Sequence, residues 1–275
     1  MNRRCETTPE IFLSVSEEMH FSALTVPGFY WEIAPGVPAY YWLAPEGRFR
    51  QIEIIRDLAP PGLMLVGVSG GVMGMPAANE YVEFSYKMFD APEEIDQRAR
   101  KCLEEGLQTA RRLGDCGVEA IVTASDIADN RGPFFGPEQM DRFVLPYLRE
   151  WSQRVKEMRK YAILHTDGNI MPCLEQIAET YLDALQAIDP TAGMDMRTVR
   201  RQVGGRLCPC GNIDCGLLLT GAPQAVYDAT RDLLIDCKAG GGLVLGASNA
   251  VQSEVPTGNY RGMIQAWIDH GKYHN

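Results

Sequence analysis

No window of the sequence approaches the roughly 18 consecutive apolar residues that a membrane helix needs. The opening MNRRCETTPEIF also lacks the apolar stretch of a secretory signal. Those absences predict a soluble, cytoplasmic protein with no membrane partner. Positive charge is in deficit too: 26 Lys and Arg stand against 36 Asp and Glu, a formal net charge of −10. Nucleic-acid binders show a basic face, so nucleic acid is excluded as the main partner. No G-x-G-x-x-G opens a first helix and no P-loop occurs, which argues against a nucleotide-binding open sheet. Histidine is scarce, with four residues, and His270 and His274 lie at the C-terminal end. No repeat, low-complexity tract or linker divides the chain, so residues 1–275 are read as one domain.

Cysteine is not scarce. Cys5, Cys102, Cys116, Cys173, Cys208, Cys210, Cys215 and Cys237 make eight. Without an export signal they read as reduced thiols, most of them small hydrophobes. Cys208, Cys210 and Cys215 form C-x-C-x4-C with no second pair and no nearby histidine. That is a poor match to a structural zinc site, and core packing is the expectation for all three. A chain of 275 residues with 45% hydrophobic content buries about 75% of its unfolded surface, enough for one large core.

Short apolar runs alternate with longer amphipathic ones. The runs 63–68, 120–124, 161–164, 184–188, 207–210 and 243–245 read as buried parallel strands. Helices are expected over 92–113, with Asp90 as N-cap and Gly114 near the end, and over 137–159, 172–181, 196–203, 223–237 and 256–268. Several begin with proline, which the first turn accepts without losing a hydrogen bond. This rhythm points to α/β architecture and a (β/α)8 TIM-type barrel. Only six strands are legible. The other two are sought in 1–60, otherwise read as an irregular N-terminal cap, and around Tyr81–Tyr86. Tyr81, Phe84, Tyr86 and Phe89 are expected to pack in the core.

Each strand is followed by polar residues of a reactive kind. Ser125, Asp126, Asp129 and Asn130 follow the second run; His165, Asp167 and Asn169 the third; Asp189 the fourth; Asn212 and Asp214 the fifth; Ser248 and Asn249 the last. Barrel closure would bring these ends to one mouth. Singly, an Asp or Asn there is a turn or cap residue. As a set they can ligate a metal, move protons or hold a polar substrate. His165 and Asp167 are two apart, so an extended strand puts both on one face. His165, Asp167 and Asp126 are the catalytic candidates, with His165 and Asp167 as metal ligands. Asp129, Asn130, Asn169, Asn212, Asp214, Ser248 and Asn249 are the substrate-binding candidates.

At these residues the sequence resembles the uroporphyrinogen decarboxylase superfamily, over roughly residues 60–270. The carrying segments are DIADNRGPFFGPEQMDRFVLPYL, ILHTDGNIMPCLEQIAE, DALQAIDPTAGMDM, RLCPCGNID and GGLVLGASNAV with VPTGNY. The resemblance implies a (β/α)8 barrel. It also implies one of two chemistries: cofactor-free decarboxylation of a porphyrinogen, or methyl transfer to or from a corrinoid, often with zinc. The decarboxylases carry an R-Q-A-G-R segment near the N-terminus that this sequence lacks, and a late G-H-G where this one reads Gly246-Ala247-Ser248. The thiol methyltransferases carry H-x-C where this one reads His165-Thr166-Asp167. The resemblance thus favours the methyltransferase branch, with an oxygen donor in place of sulfur. It implies a small O- or N-methylated substrate as methyl donor, a partner protein that supplies the corrinoid, and a homodimer as in many relatives. The alternatives are a decarboxylase and a non-catalytic binding barrel.

Overall fold

A computed structural model describes residues 4–26 and 45–273 of the chain. Seven strands form one parallel sheet: β1 (Ala23–Thr25), β2 (Met64–Ser69), β3 (Ala120–Ala124), β6 (Tyr161–Thr166), β7 (Ala184–Ala187), β8 (Cys208–Ile213) and β9 (Val244–Ala247), hydrogen-bonded in that order. Between β3 and β6, two-residue strands β4 (Ala128–Asp129) and β5 (Gly132–Pro133) pair antiparallel as a small flap. The six expected strands all form, most of them shifted by one to three residues at the ends.

Several expectations fail. The Tyr81–Tyr86 region is helical, part of the helix Tyr81–Asp90, and supplies no strand. Its residues recur at the helical period, with Phe84 buried and Val82, Tyr86 and Phe89 facing out. Core packing thus holds for Phe84, whose ring meets Phe134 and Phe135, and for the half-buried Tyr81 against Phe134. It fails for Tyr86 and Phe89. Asp90 is the last residue of that helix and does not cap the next: Pro92–Asp115 starts after Ala91 with no side-chain cap. The seventh strand is β1. Within 1–60 the helices Arg4–Glu18 and Pro45–Leu58 flank it, and residues 27–44 lie outside the described residues. No eighth strand joins this sheet among the described residues.

The sheet buries its convex face under helices. Leu65, Ile121, Ala162, Leu164, Leu185 and Ile213 are all nearly inaccessible there. The helix Pro92–Asp115 covers β2 and β3, with Ala99, Leu103 and Ala110 inward. The long helical stretch 137–157 contains a π-type turn at Met140–Val144, and buries Phe143, Leu148 and Trp151. The concave face is more open: Val68, Val122, Ile163, His165 and Gln186 are only half-buried. The polar strand ends therefore meet at an accessible mouth. The seven cysteines with described side chains are free thiols, and Cys116, Cys173, Cys210 and Cys237 are buried as expected.

Gly106, in the middle of the helix Pro92–Asp115, sits against the backbone that leaves β2. A Cβ there would lie 2.3 Å from Gly71 Cα and 2.4 Å from the Gly70 carbonyl carbon. Helix propensity alone favours alanine over glycine by about 1 kcal/mol. Overpacking against a fixed backbone costs about 1–3 kcal/mol or more, so the clash wins. Gly106→Ala should lower Tm in a thermal melt by several degrees, roughly 2 kcal/mol. Gly205→Ala has no neighbour within 4 Å and should stay within about 0.5 kcal/mol of the parent. A Gly106→Ala variant more stable than the parent would contradict this packing.

Candidate active site

The site is assembled by two adjacent strands. Ala124 on β3 and His165 on β6 are register partners, and the Ser125 N–H donates to the His165 carbonyl at 3.0 Å. Past that point both chains leave the sheet still tied together. The Asp167 N–H donates to Asp126 Oδ1 at 3.0 Å, and the Ile127 N–H donates to Thr166 Oγ1 at 3.1 Å. The loop after β2 presses in from the other side. Met75 N–H donates to the Asp126 carbonyl at 2.7 Å, and a Cβ on Gly74 would come within 2.8 Å of that oxygen. Gly168, at φ +84°, lets the β6 loop pass under the flap; a Cβ there would meet the Ala128 carbonyl at 2.5 Å.

Alternation along β6 puts His165 and Asp167 on the concave face, as the spacing predicts. His165 Nε2 lies 3.9 Å from Asp167 Oδ1. One donor atom from each of Asp126, His165 and Asp167 falls within 4.8 Å of the other two. Asn249, at the end of β9, reaches across and donates from Nδ2 to Asp167 Oδ2 at 2.7 Å. Gln186 on β7, the register partner of His165, places Oε1 against His165 Nδ1. Asp167 Oδ1 is buried and has no hydrogen-bond partner. Burial raises the Asp167 pKa; the Asp126 and Asp189 carboxylates push the same way, and His165 and Asn249 oppose them. Beside the group lies a cavity of about 390 Å³ lined by Met75, Asp126, Asp129, Asn130, Arg131 and Asp167, among others.

The structure sorts the remaining candidates. Asn130 lines the cavity. Asp129 reaches its rim, but its Oδ1 accepts the Arg131 and Gly132 N–H groups and shapes the flap turn. Asn169 Oδ1 accepts the Met171 N–H at 3.1 Å, a turn role. Asp214 caps the helix Cys215–Thr220 through the Leu217 N–H at 2.6 Å. Ser248 is buried, with Oγ on Cys215 Sγ at 3.6 Å. Asn212 is buried and donates to the Ile188 and Met194 carbonyls. Ile188 adopts φ 57°, costly for a β-branched residue, and the Asn212 amide fixes that turn. Asn169, Asp214 and Asn212 hold backbone and Ser248 holds a thiol, and none of the four lines the cavity. Gln186, Arg131 and Met75 were not among the sequence candidates. Gln186 alone carried a signal, as the polar interruption of the apolar run ALQAI.

The sequence profile of the uroporphyrinogen decarboxylase (URO-D) family matches residues 49–270. The chain belongs to the uroporphyrinogen decarboxylase family. It is 30% identical over 150 residues to a uroporphyrinogen decarboxylase of Legionella pneumophila, covering 54% of this chain and 42% of that one. A Coxiella burnetii uroporphyrinogen decarboxylase is 29% identical over 141 residues, covering 50% and 38%. The chain thus spans less than half the length of these relatives. Among solved structures, a methyltransferase from Methanosarcina mazei superposes with a TM-score of 0.70 at 18% identity, covering 98% of this chain and 87% of that one. A D-psicose 3-epimerase from Clostridium cellulolyticum superposes at 0.53 and 13% identity, covering 96% and 93%. These likenesses show the TIM-type fold.

In this family member the Asp126–His165–Asp167 group fits a zinc ion by its donor chemistry. One imidazole nitrogen and two carboxylate oxygens are ligands zinc accepts, with a fourth position left open. The unpartnered Asp167 Oδ1 is the atom a cation would satisfy. The Cys208, Cys210 and Cys215 thiols take no part in this group, the only one of its kind among the described residues.

Without a cation the arrangement costs stability. The raised Asp167 pKa means that the folded chain holds this proton more tightly than the unfolded one. The ionised form therefore destabilises the fold at neutral pH, and the cost vanishes as pH falls through the folded value. Asp167→Asn removes the charge and keeps a group for Asn249 to bond. It should raise the Tm of the metal-free protein at pH 7 by about 2–4 °C, near 1 kcal/mol. A lower Tm would show that Asp167 stabilises the fold as an ordinary structural carboxylate.

Proposed function

We propose that this protein transfers a methyl group between a small O- or N-methylated substrate and a corrinoid held by a partner protein, with zinc bound by Asp126, His165 and Asp167. The observation that carries the reading is the convergence of those three side chains, one of which, Asp167, keeps a buried oxygen without a hydrogen-bond partner. When bound, zinc supplies Lewis-acid polarisation of the heteroatom from which the methyl departs.

The electron pair of the broken bond stays on that heteroatom, which makes it a poor leaving group unless its charge is met. His165 and Asp167 stand where that charge is handled. Asn249 keeps Asp167 from rotating away, and the Asp167 N–H does the same for Asp126. Asn130 and Arg131 line the adjoining cavity and face a polar substrate there. Accessibility of the concave mouth suits a reaction in which a second protein must bring its cofactor to the substrate.

A decarboxylase reading draws support from the curated relatives. Against it stands charge: Asp126, Asp129 and Asp167 border the cavity and Arg131 is the one lining cation among the described residues, whereas a poly-anionic porphyrinogen calls for several.

Metal content and methyl transfer should be measured together for the parent and His165→Ala. The expected result is about one equivalent of zinc in the parent, lost in the variant, with methyl transfer to a corrinoid protein falling about 100-fold or more. Carbon dioxide release from a porphyrinogen, with no methyl transfer, would replace this reading with the decarboxylase one.

A further inference from the structure

We propose that Gln186 is a positioning residue that holds His165 in the Nδ1–H tautomer and so presents the bare Nε2 to the site. The inference rests on the reading of His165 as a donor to a bound cation.

The geometry is specific. His165 and Gln186 are register partners on neighbouring strands, β6 and β7, so their side chains project side by side on the concave face. Gln186 Oε1 meets His165 Nδ1 within hydrogen-bond distance. An amide oxygen only accepts, so with the Gln186 amide turned to present Oε1, as it is here, the ring nitrogen facing it carries the proton. The neutral ring has one proton, which leaves the lone pair on Nε2. Nε2 is the atom that lies 3.9 Å from Asp167 Oδ1, and both belong to residues of the three-membered group. A ring with the opposite tautomer would aim an N–H into the group and could not ligate through Nε2.

Each member of the group is thus pinned on one atom: His165 and Asp167 by side chains outside the group, and Asp126 by the backbone of Asp167. Gln186 holds His165 by Nδ1. Asn249 holds Asp167 by Oδ2. The Asp167 N–H holds Asp126 by Oδ1. Outer partners of this kind fix ring orientation and ligand basicity, and their loss costs about 10–100-fold in metal affinity.

The test has two arms. The first is the long-range 1H–15N spectrum of the imidazoles in the metal-free protein at pH 8, above the ordinary imidazole range. With four histidines in the chain, the His165 signals are those missing from His165→Ala. The parent should show the Nδ1–H tautomer, and Gln186→Leu should move to Nε2–H or a mixture. Gln186→Glu keeps an acceptor and should retain the parent pattern. The second arm is Zn²⁺ affinity by competition with a chelator. Gln186→Leu should weaken it about 10–100-fold and Gln186→Glu should restore it, which a mere packing role for Gln186 would not do. An Nε2–H tautomer in the parent, or an unchanged tautomer in Gln186→Leu, would overturn the proposal. If no variant or parent binds Zn²⁺ while the tautomer responds as stated, the metal reading falls and the positioning role stands.

Discussion

The parallel register of β3 on β6 is the constraint on which the rest depends. It sets Ala124 beside His165, and the contacts between the two strand ends continue that alignment past the sheet edge. Asp126 and Asp167 are brought together because each lies two residues beyond that matched pair. A backbone N–H of one then meets the carboxylate of the other. Shifting this ladder by a single residue would turn one set of side chains to the opposite face. Two acidic groups and an imidazole would then be scattered between a cleft and a packed helical layer. The chemistry is thus a by-product of where two strands happen to end.

That arrangement works against stability and in favour of binding. Two carboxylates drawn together beside an imidazole, one with a buried oxygen left unpaired, raise the free energy of the empty protein. The same features would lower the free energy of a cation bound there. Desolvation makes the negative atoms more attractive to it, and neighbours that each occupy one atom leave the other facing inward. A chain selected for stability alone would fill this space with apolar side chains, as the convex face of the same strands does.

Much of this was legible in sequence because the signals were local. The apolar runs at 120–124 and 184–188 and the helices 196–203 and 223–237 are set by their own periodicity and caps, and the structure reproduces them within a residue. The pairing of His165 with Asp167 follows from strand alternation alone. What could not be read was anything decided across strands. Asp214 and Asn169 have the composition of site residues, yet a backbone N–H two or three residues on claims each side chain. Asn212 is claimed by the strained turn at Ile188, from another strand. Gln186 hid inside an apolar run, and its meaning depends on the register with β6. Tyr81–Tyr86 carried a mixed pattern that helical burial of Phe84 resolves and strand alternation does not.

The function rests on the proposed cation site, in which one nitrogen and two oxygens, without sulfur, would hold the ion. X-ray absorption at the zinc edge on the zinc-loaded protein tests it most directly. The expected result is a shell of nitrogen and oxygen ligands only, at about 2.0–2.2 Å, with one imidazole. A sulfur shell near about 2.3 Å would place the ion on cysteine and contradict the assignment of the site.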